Sequence, residues 1–75
     1  MRAAKLAKIL KQGSKPLSEG NFAHNLTVLT KQLPEGMEAH HVLPKALADK
    51  FKRFGIENVH DPKYGAWVKG GKPGN

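Results

Sequence analysis

Two apolar seams with the same helical spacing constrain the fold of this chain more than any other feature of its sequence. Each seam has three large apolar residues at positions i, i+4 and i+7: Phe22, Leu26 and Leu29 in the first, and Leu47, Phe51 and Phe54 in the second. This spacing places the three side chains on one face of an α-helix. We therefore expect both seams to be substantially buried, packed on each other or on short strands.

The small size of the chain limits the core that these seams can build. With 75 residues and no cysteine, it can form one domain near the lower size limit for independent folding, without disulfides or thiolate zinc sites. No apolar run approaches the roughly 18 residues of a membrane span, and the N-terminus lacks the apolar core of a signal peptide. We expect one marginally stable, soluble domain with no membrane partner.

The N-terminal residues 1–13 are predicted to contain an amphipathic helix. Between residues 2 and 11, apolar side chains follow one stripe, while Arg2 and three lysines are spaced three apart on another face. Gly13 is the expected end of this helix. The basic face is most simply a solvated surface rather than a phosphate-binding one.

Two further helices follow from the seams. One starts near Ser18 or Asn21, either of which is a suitable cap, and runs to about Lys31. The other covers residues 45–54 and ends at Gly55, a residue that readily adopts the left-handed conformation.

Two of the four histidines, His40 and His41, are adjacent in a stretch that is predicted to be a strand. Successive side chains of a regular strand point to opposite faces, so a shared site requires a bulge, bend or strand end at this pair. Pro44 supplies a nearby strand end. We expect both rings to approach one polar pocket near His60 or Asp61. The alternative is that one ring packs in the core and the other faces solvent.

The residues after the third helix are less regular. Residues 56–60 can extend as a short second strand, residues 61–65 have turn composition, and residues 66–68 either extend or begin another element. Residues 69–75 contain three Gly and one Pro, which predicts a flexible tail. The fold class expected is α+β, a small, mainly helical domain with three helices around a short, irregular ββ unit.

The charge of the chain indicates a polyanionic partner. Thirteen Lys and Arg residues against six acidic residues give a formal charge of +7, which creates a positive potential over much of so small a surface. The basic residues are spread along the chain, which favours nucleic acid over a membrane surface. A basic domain without such a partner is the alternative.

Several short motifs between residues 21 and 68 occur together in a known family. They are Asn25-Leu26, Pro34-Glu35-Gly36, the run Ala-His-His-Val-Leu-Pro at 39–44, Phe51, Gly55-Ile56, and the run Val-His-Asp-Pro-Lys-Tyr-Gly-Ala-Trp at 59–67. In these motifs the chain resembles the HNH or endonuclease VII-type nuclease domains of bacterial polymorphic toxins, in particular the group named for an Ala-His-His motif.

This resemblance implies a ββα-metal fold and a metal-dependent DNA endonuclease that acts as an interbacterial toxin. By the resemblance, His41 is the general base that deprotonates the attacking water. His40 is a metal ligand by the same resemblance, and we add Asp61 as a second metal ligand and His60 and Glu38 in supporting roles. The cofactor implied is a divalent cation, Mg²⁺ or Zn²⁺. Such a cation neutralises charge that develops on the phosphate, while a nearby imidazole activates water.

The resemblance also implies partners and a place of action. The substrate is DNA, with RNA also compatible, and we assign phosphate contacts to Lys45, Lys63, Lys69 and Lys72. An acidic immunity protein is the second partner. The expected location is that of a secreted or delivered effector that acts in the target-cell cytoplasm.

The chain departs from the family after its Trp region. Members usually continue into a helix with further His or Asn residues, whereas this sequence has no histidine after His60. We therefore expect a truncated ββα-metal fold, a fragment that lacks the last catalytic helix and is catalytically impaired. The alternatives are a non-catalytic, basic nucleic-acid-binding module and a fragment that binds an immunity protein.

Overall fold

The structure, a computed structural model, describes residues 2–70. Within this range the chain forms three α-helices and a two-stranded antiparallel sheet, which confirms the expected α+β class. The elements are α1 (Arg2–Gln12), α2 (Phe22–Thr30), β1 (Met37–His41), α3 (Ala48–Arg53) and β2 (Gly65–Lys69), with short 3₁₀ helices at Lys45–Leu47 and Pro62–Tyr64. No helix in this part of the chain combines the length and apolarity needed to cross a membrane.

Helix α2 lies at the centre of the fold, in contact with α1, β1 and the 3₁₀ helix Pro62–Tyr64. Phe22 and Leu26, from the predicted seam, are buried and pack in the core together with Val59. The helix ends at Lys31, as predicted, with that residue in the left-handed conformation. The prediction for Leu29 was wrong, because its side chain is 55 % exposed in the last turn of the helix.

The loop between α1 and α2 is held by polar side chains of α2. Helix α1 ends at Gly13, as predicted, with φ at +75°. The buried Asn25 side chain accepts a hydrogen bond from the Lys15 backbone N–H at 2.8 Å and donates one to the Lys15 carbonyl at 3.0 Å. His24 is half-buried and hydrogen-bonded through Nε2 to the Gly13 carbonyl at 2.7 Å. Its role is structural, since it fixes the end of α1.

The sheet pairs β1 with β2 in a regular antiparallel register, from Met37 opposite Lys69 to His41 opposite Gly65. The expectation of an irregular ββ unit was therefore wrong for these five pairs. The second strand is also not at residues 56–60, which form irregular backbone and a turn. The alternative of extended backbone at residues 66–68 is confirmed.

The third helix is shorter than predicted, and its seam is largely exposed. Leu47 is 41 % exposed and Phe54 is 81 % exposed, whereas Phe51 is half-buried. Because Lys45–Leu47 is a 3₁₀ helix, with three residues per turn, the 3.6-residue spacing does not hold over the whole seam. Gly55 ends the segment at φ +94°, as predicted.

The beginning of the predicted flexible tail belongs to the sheet. Lys69 is the last residue of β2, and the Gly70 N–H donates to the Gly36 carbonyl at 3.2 Å. Backbone pairing thus extends past the boundary placed at residue 69. Residues 71–75 of that predicted tail lie outside the described residues.

Candidate active site

The end of strand β1 places the His41 ring against the core. His41 is the last residue of the strand, which agrees with the expected strand end, and it is half-buried. Its imidazole is stacked on the Phe22 ring, with centroids 3.8 Å apart and planes 11° apart. Gly65, opposite His41 in the sheet, has no side chain where the Phe22 ring packs: a Cβ there would lie 2.5 Å from Phe22 Cζ. Strand β1, helix α2 and strand β2 thus together fix the position of the His41 imidazole.

His60 forms the second half of the site. Its Nδ1 lies 3.0 Å from His41 Nε2, and the two rings meet edge to face with centroids 5.1 Å apart. One nitrogen donates and the other accepts, and the two neutral tautomers allow either direction. The backbone N–H of His60 donates to Asn58 Oδ1 at 2.9 Å, which positions the turn that carries this ring. The expected approach of His41 to His60 is present.

The surroundings of His41 favour its neutral form. Burial lowers the pKa of His41, and the nearby charge of His60 lowers it further. A neutral imidazole has one nitrogen lone pair, and when the Nε2–H of His41 donates to His60, the lone pair is on Nδ1 and can accept a proton from water. The environment of His41 therefore suits a general base.

An ion pair between Glu19 and Lys45 lies beside the histidines. Lys45 Nζ donates to Glu19 Oε2, and this bond together with the lysine charge lowers the pKa of Glu19. The charges of His60 and His41 have the same effect on Glu19, more weakly. Glu19 was not among the predicted site residues. It lies 26 residues before Lys45 in the loop that precedes α2, and no motif in the sequence marks it.

The structure separates His40 from the pair formed by His41 and His60. His40 pairs with Ala66 in the regular part of the sheet, and its side chain is exposed. Alternation along the strand directs the two adjacent rings to opposite faces. Among the described residues the His40 side chain has no hydrogen bond, so the expected contact with His60 forms with one of the two rings.

The two acidic residues that were predicted for the site lie outside the histidine pair. Asp61 caps the 3₁₀ helix Pro62–Tyr64, where its Oδ1 accepts from the Lys63 N–H at 3.0 Å. The Glu38 carboxylate packs against Gly70, since a Cβ on that glycine would lie 2.0 Å from Glu38 Oε2. Glu38 therefore lies toward the Met37 end of β1, away from His41.

The residues described do not assemble a metal site of the expected kind. Within residues 2–70, no group of three or more His, Cys, Asp or Glu side chains is placed to hold a metal ion. Asp61 has one oxygen committed to its cap, and exposed His40 is not joined by two further donors. These side chains therefore do not fit a complete three-ligand cation site by themselves.

The predicted phosphate-binding lysines are dispersed. Lys45 is bound to Glu19, and Lys63 lies over the Tyr64 ring with Nζ 5.3 Å from its centroid. Lys69 is exposed at the end of β2, and Lys72 lies outside the described residues. Lys45 lines the same groove as His41, and its charge contributes to the lowered pKa of His41.

A groove of about 910 Å³ runs along α1, α2 and β1 and includes one side of the site. Its apolar walls include Ile9, Leu33 and Trp67, and Glu19, His41 and Lys45 also line it. A polar cluster within a partly apolar groove is the usual setting of a ligand site. Comparison of the chain with protein-family models, curated proteins and solved structures gave no match.

Proposed function

We propose that this chain is a nuclease domain of the HNH kind that hydrolyses phosphodiester bonds in DNA, with His41 as the general base. The observation that carries the proposal is the half-buried His41 ring, stacked on Phe22 and hydrogen-bonded to His60. Its lowered pKa keeps it neutral at pH 7. The charge of +7 supports a polyanionic substrate.

In the proposed reaction His41 takes a proton from the attacking water. His60, in contact with His41 Nε2, orients the base and stabilises one tautomer, as the second group of a catalytic pair does. A divalent cation, Mg²⁺ or Zn²⁺, belongs to the proposed activity. Because residues 2–70 do not gather three ligands for it, the roles assigned to this part of the chain are proton transfer and phosphate binding.

The biological setting that we propose is that of an interbacterial toxin, delivered to the cytoplasm of a target cell and neutralised by an acidic immunity protein. The strongly basic charge supports association with both DNA and an acidic protein. In an HNH-like ββα arrangement, β1 and β2 would be the two strands of the motif.

Plasmid relaxation with added Mg²⁺ or Zn²⁺, with and without chelator, tests the proposed activity. We expect slow, metal-dependent nicking, because a loosely held cation spends little time in the productive position. His41→Ala should reduce the rate by about 10²–10⁴-fold, the contribution typical of a general base. His24→Gln is the matched control, since His24 binds the Gly13 carbonyl outside the site. Cutting that survives His41→Ala would show that His41 is not the base.

A second candidate function, nucleic-acid binding without cleavage, is favoured by the same charge of +7. Duplex DNA affinity should then fall with salt, with a log–log slope of about −0.9 per phosphate contacted. Salt-sensitive binding with no cleavage under any metal condition would select this function over the nuclease. Binding that does not change with salt would contradict both.

A further inference from the structure

The ion pair of Glu19 and Lys45 holds an anionic group beside the histidine pair. Glu19 and Lys45 come from segments 26 residues apart, and their side chains remain 65 % and 48 % exposed. Both line the groove that His41 also lines. The Glu19 carboxylate is thus held by the Lys45 ammonium group at the groove that contains the candidate base.

A phosphate group has the chemistry to take the place of this carboxylate. Both present anionic oxygens that accept hydrogen bonds from ammonium and imidazole N–H groups, and such charge-assisted bonds are the strong ones. An ion pair between solvent-exposed side chains is weakly held. The Glu19 side chain, on an exposed loop position, can rotate into solvent without disturbing the core.

We propose that Lys45, beside the pair formed by His41 and His60, forms an anion-binding subsite for a phosphate group of the substrate, and that Glu19 occupies this subsite until the phosphate displaces it. The inference rests on the proposed function, because it identifies the phosphate position of the same site. It assigns Glu19 the role of an internal competitor. The groove beyond the subsite offers space for the adjoining nucleotide, with Lys5 and His40 also on its lining.

Titration with inorganic phosphate, followed by the ring proton signals of His41 and His60 in NMR spectra, tests the subsite without any cleavage. Glu19→Gln should bind phosphate at least about fivefold more tightly than the wild type, because it removes a charge next to the anion. Glu35→Gln is the matched control. It removes the same charge from an exposed turn, and its affinity should change by less than about twofold because salt screens distant charges.

A second pair of variants tests the role of the Lys45 ammonium group. Lys45→Met should weaken phosphate binding at least about fivefold, whereas Lys52→Met, at an exposed position on α3, should change it by less than about twofold. Equal effects of Glu19→Gln and Glu35→Gln would overturn the proposal, since the gain would come from net charge alone. Phosphate that leaves the signals of both histidines unchanged in wild type and Glu19→Gln would also overturn it.

These results are separable from the outcome of the plasmid assay. Phosphate binding with the expected variant pattern, in a protein that does not cut DNA, would support the subsite and contradict the nuclease. Cleavage that depends on His41, combined with equal phosphate affinities in Glu19→Gln and Glu35→Gln, would support the nuclease and overturn the subsite.

Discussion

The Phe22 ring and the His41 imidazole lie face to face, 3.8 Å apart and 11° from parallel. Phe22 is one of the most buried side chains described, and His41 is the candidate base. The orientation of the base is therefore set by a core residue that also lines the groove. Changes in core packing near Phe22 should be detectable at the site.

Gly65→Ala should disturb this stack. The added Cβ would lie 2.5 Å from Phe22 Cζ and 3.2 Å from Cε1, so the ring must move, and overpacking of this kind costs about 1–3 kcal/mol. Thermal unfolding measures the cost. Gly20→Ala is the control because a Cβ there meets nothing within 4 Å. Equal melting temperatures for the two variants would contradict the close approach of Gly65 and Phe22.

The two seams should respond differently to truncation. Phe22→Ala should destabilise the protein by about 3–5 kcal/mol, because it removes a buried aromatic side chain from a small core. Phe54→Ala should change stability by less than about 0.5 kcal/mol, since Phe54 is 81 % exposed. Urea denaturation gives both values. A large loss for Phe54→Ala would mean that this ring packs in solution.

Asn25→Ala should detach the loop that joins α1 to α2. The variant leaves the N–H and carbonyl of Lys15 without their partner, at a cost of about 1–3 kcal/mol for unsatisfied backbone groups. Asn21→Ala removes an exposed hydrogen bond to the Pro16 carbonyl and should cost less than about 1 kcal/mol. Urea denaturation compares the two, and the order of the losses is the result that matters.

The titration of His41 should depend on His60. Because burial and the charge of His60 lower the pKa of His41, its folded-state value lies below the ordinary value of about 6.5. Protonation then opposes folding. Stability from this group is fully present above about pH 6.5 and is lost as the pH falls toward the folded-state pKa.

His60→Asn removes the charge of His60 and retains burial, the larger cause of that shift. The pKa of His41 should rise in this variant but stay below the ordinary value, because burial is the larger cause. NMR titration of the His41 ring protons measures it, with His24→Gln as a control that should leave the curve in place. A His41 pKa that is the same in His60→Asn and the wild type would refute the electrostatic coupling.

The helices could be predicted from the sequence because their signals are local. The apolar stripe of α1, the glycine at position 13 and the seam that starts at Phe22 all lie within the segments they describe. The second strand was misplaced because residues 56–60 have suitable composition too, and strand propensity depends on context. The pairing is instead made by residues 65–69, where Trp67 Nε1 donates to Thr30 Oγ1 at 3.1 Å.

The candidate site could be predicted only in part. His41 and His60 were identified by their residue type, and the structure brings them into contact across 19 residues. Glu19 could not be found in this way, because its position depends on a tertiary contact with Lys45. His40 was assigned to the same pocket, but the regular register of β1 separates it from the contact with His60, and it shares only the wider groove with His41.

Trp67, which is hydrogen-bonded to Thr30, is an intrinsic fluorescence probe of this fold. Trp67 is the single tryptophan of the chain, and its indole joins β2 to the last turn of α2. Its fluorescence emission therefore reports whether the sheet is docked on the central helix, with no added dye. A red shift of that emission at denaturant concentrations where helical circular dichroism persists would identify the sheet as the first part of the fold to separate.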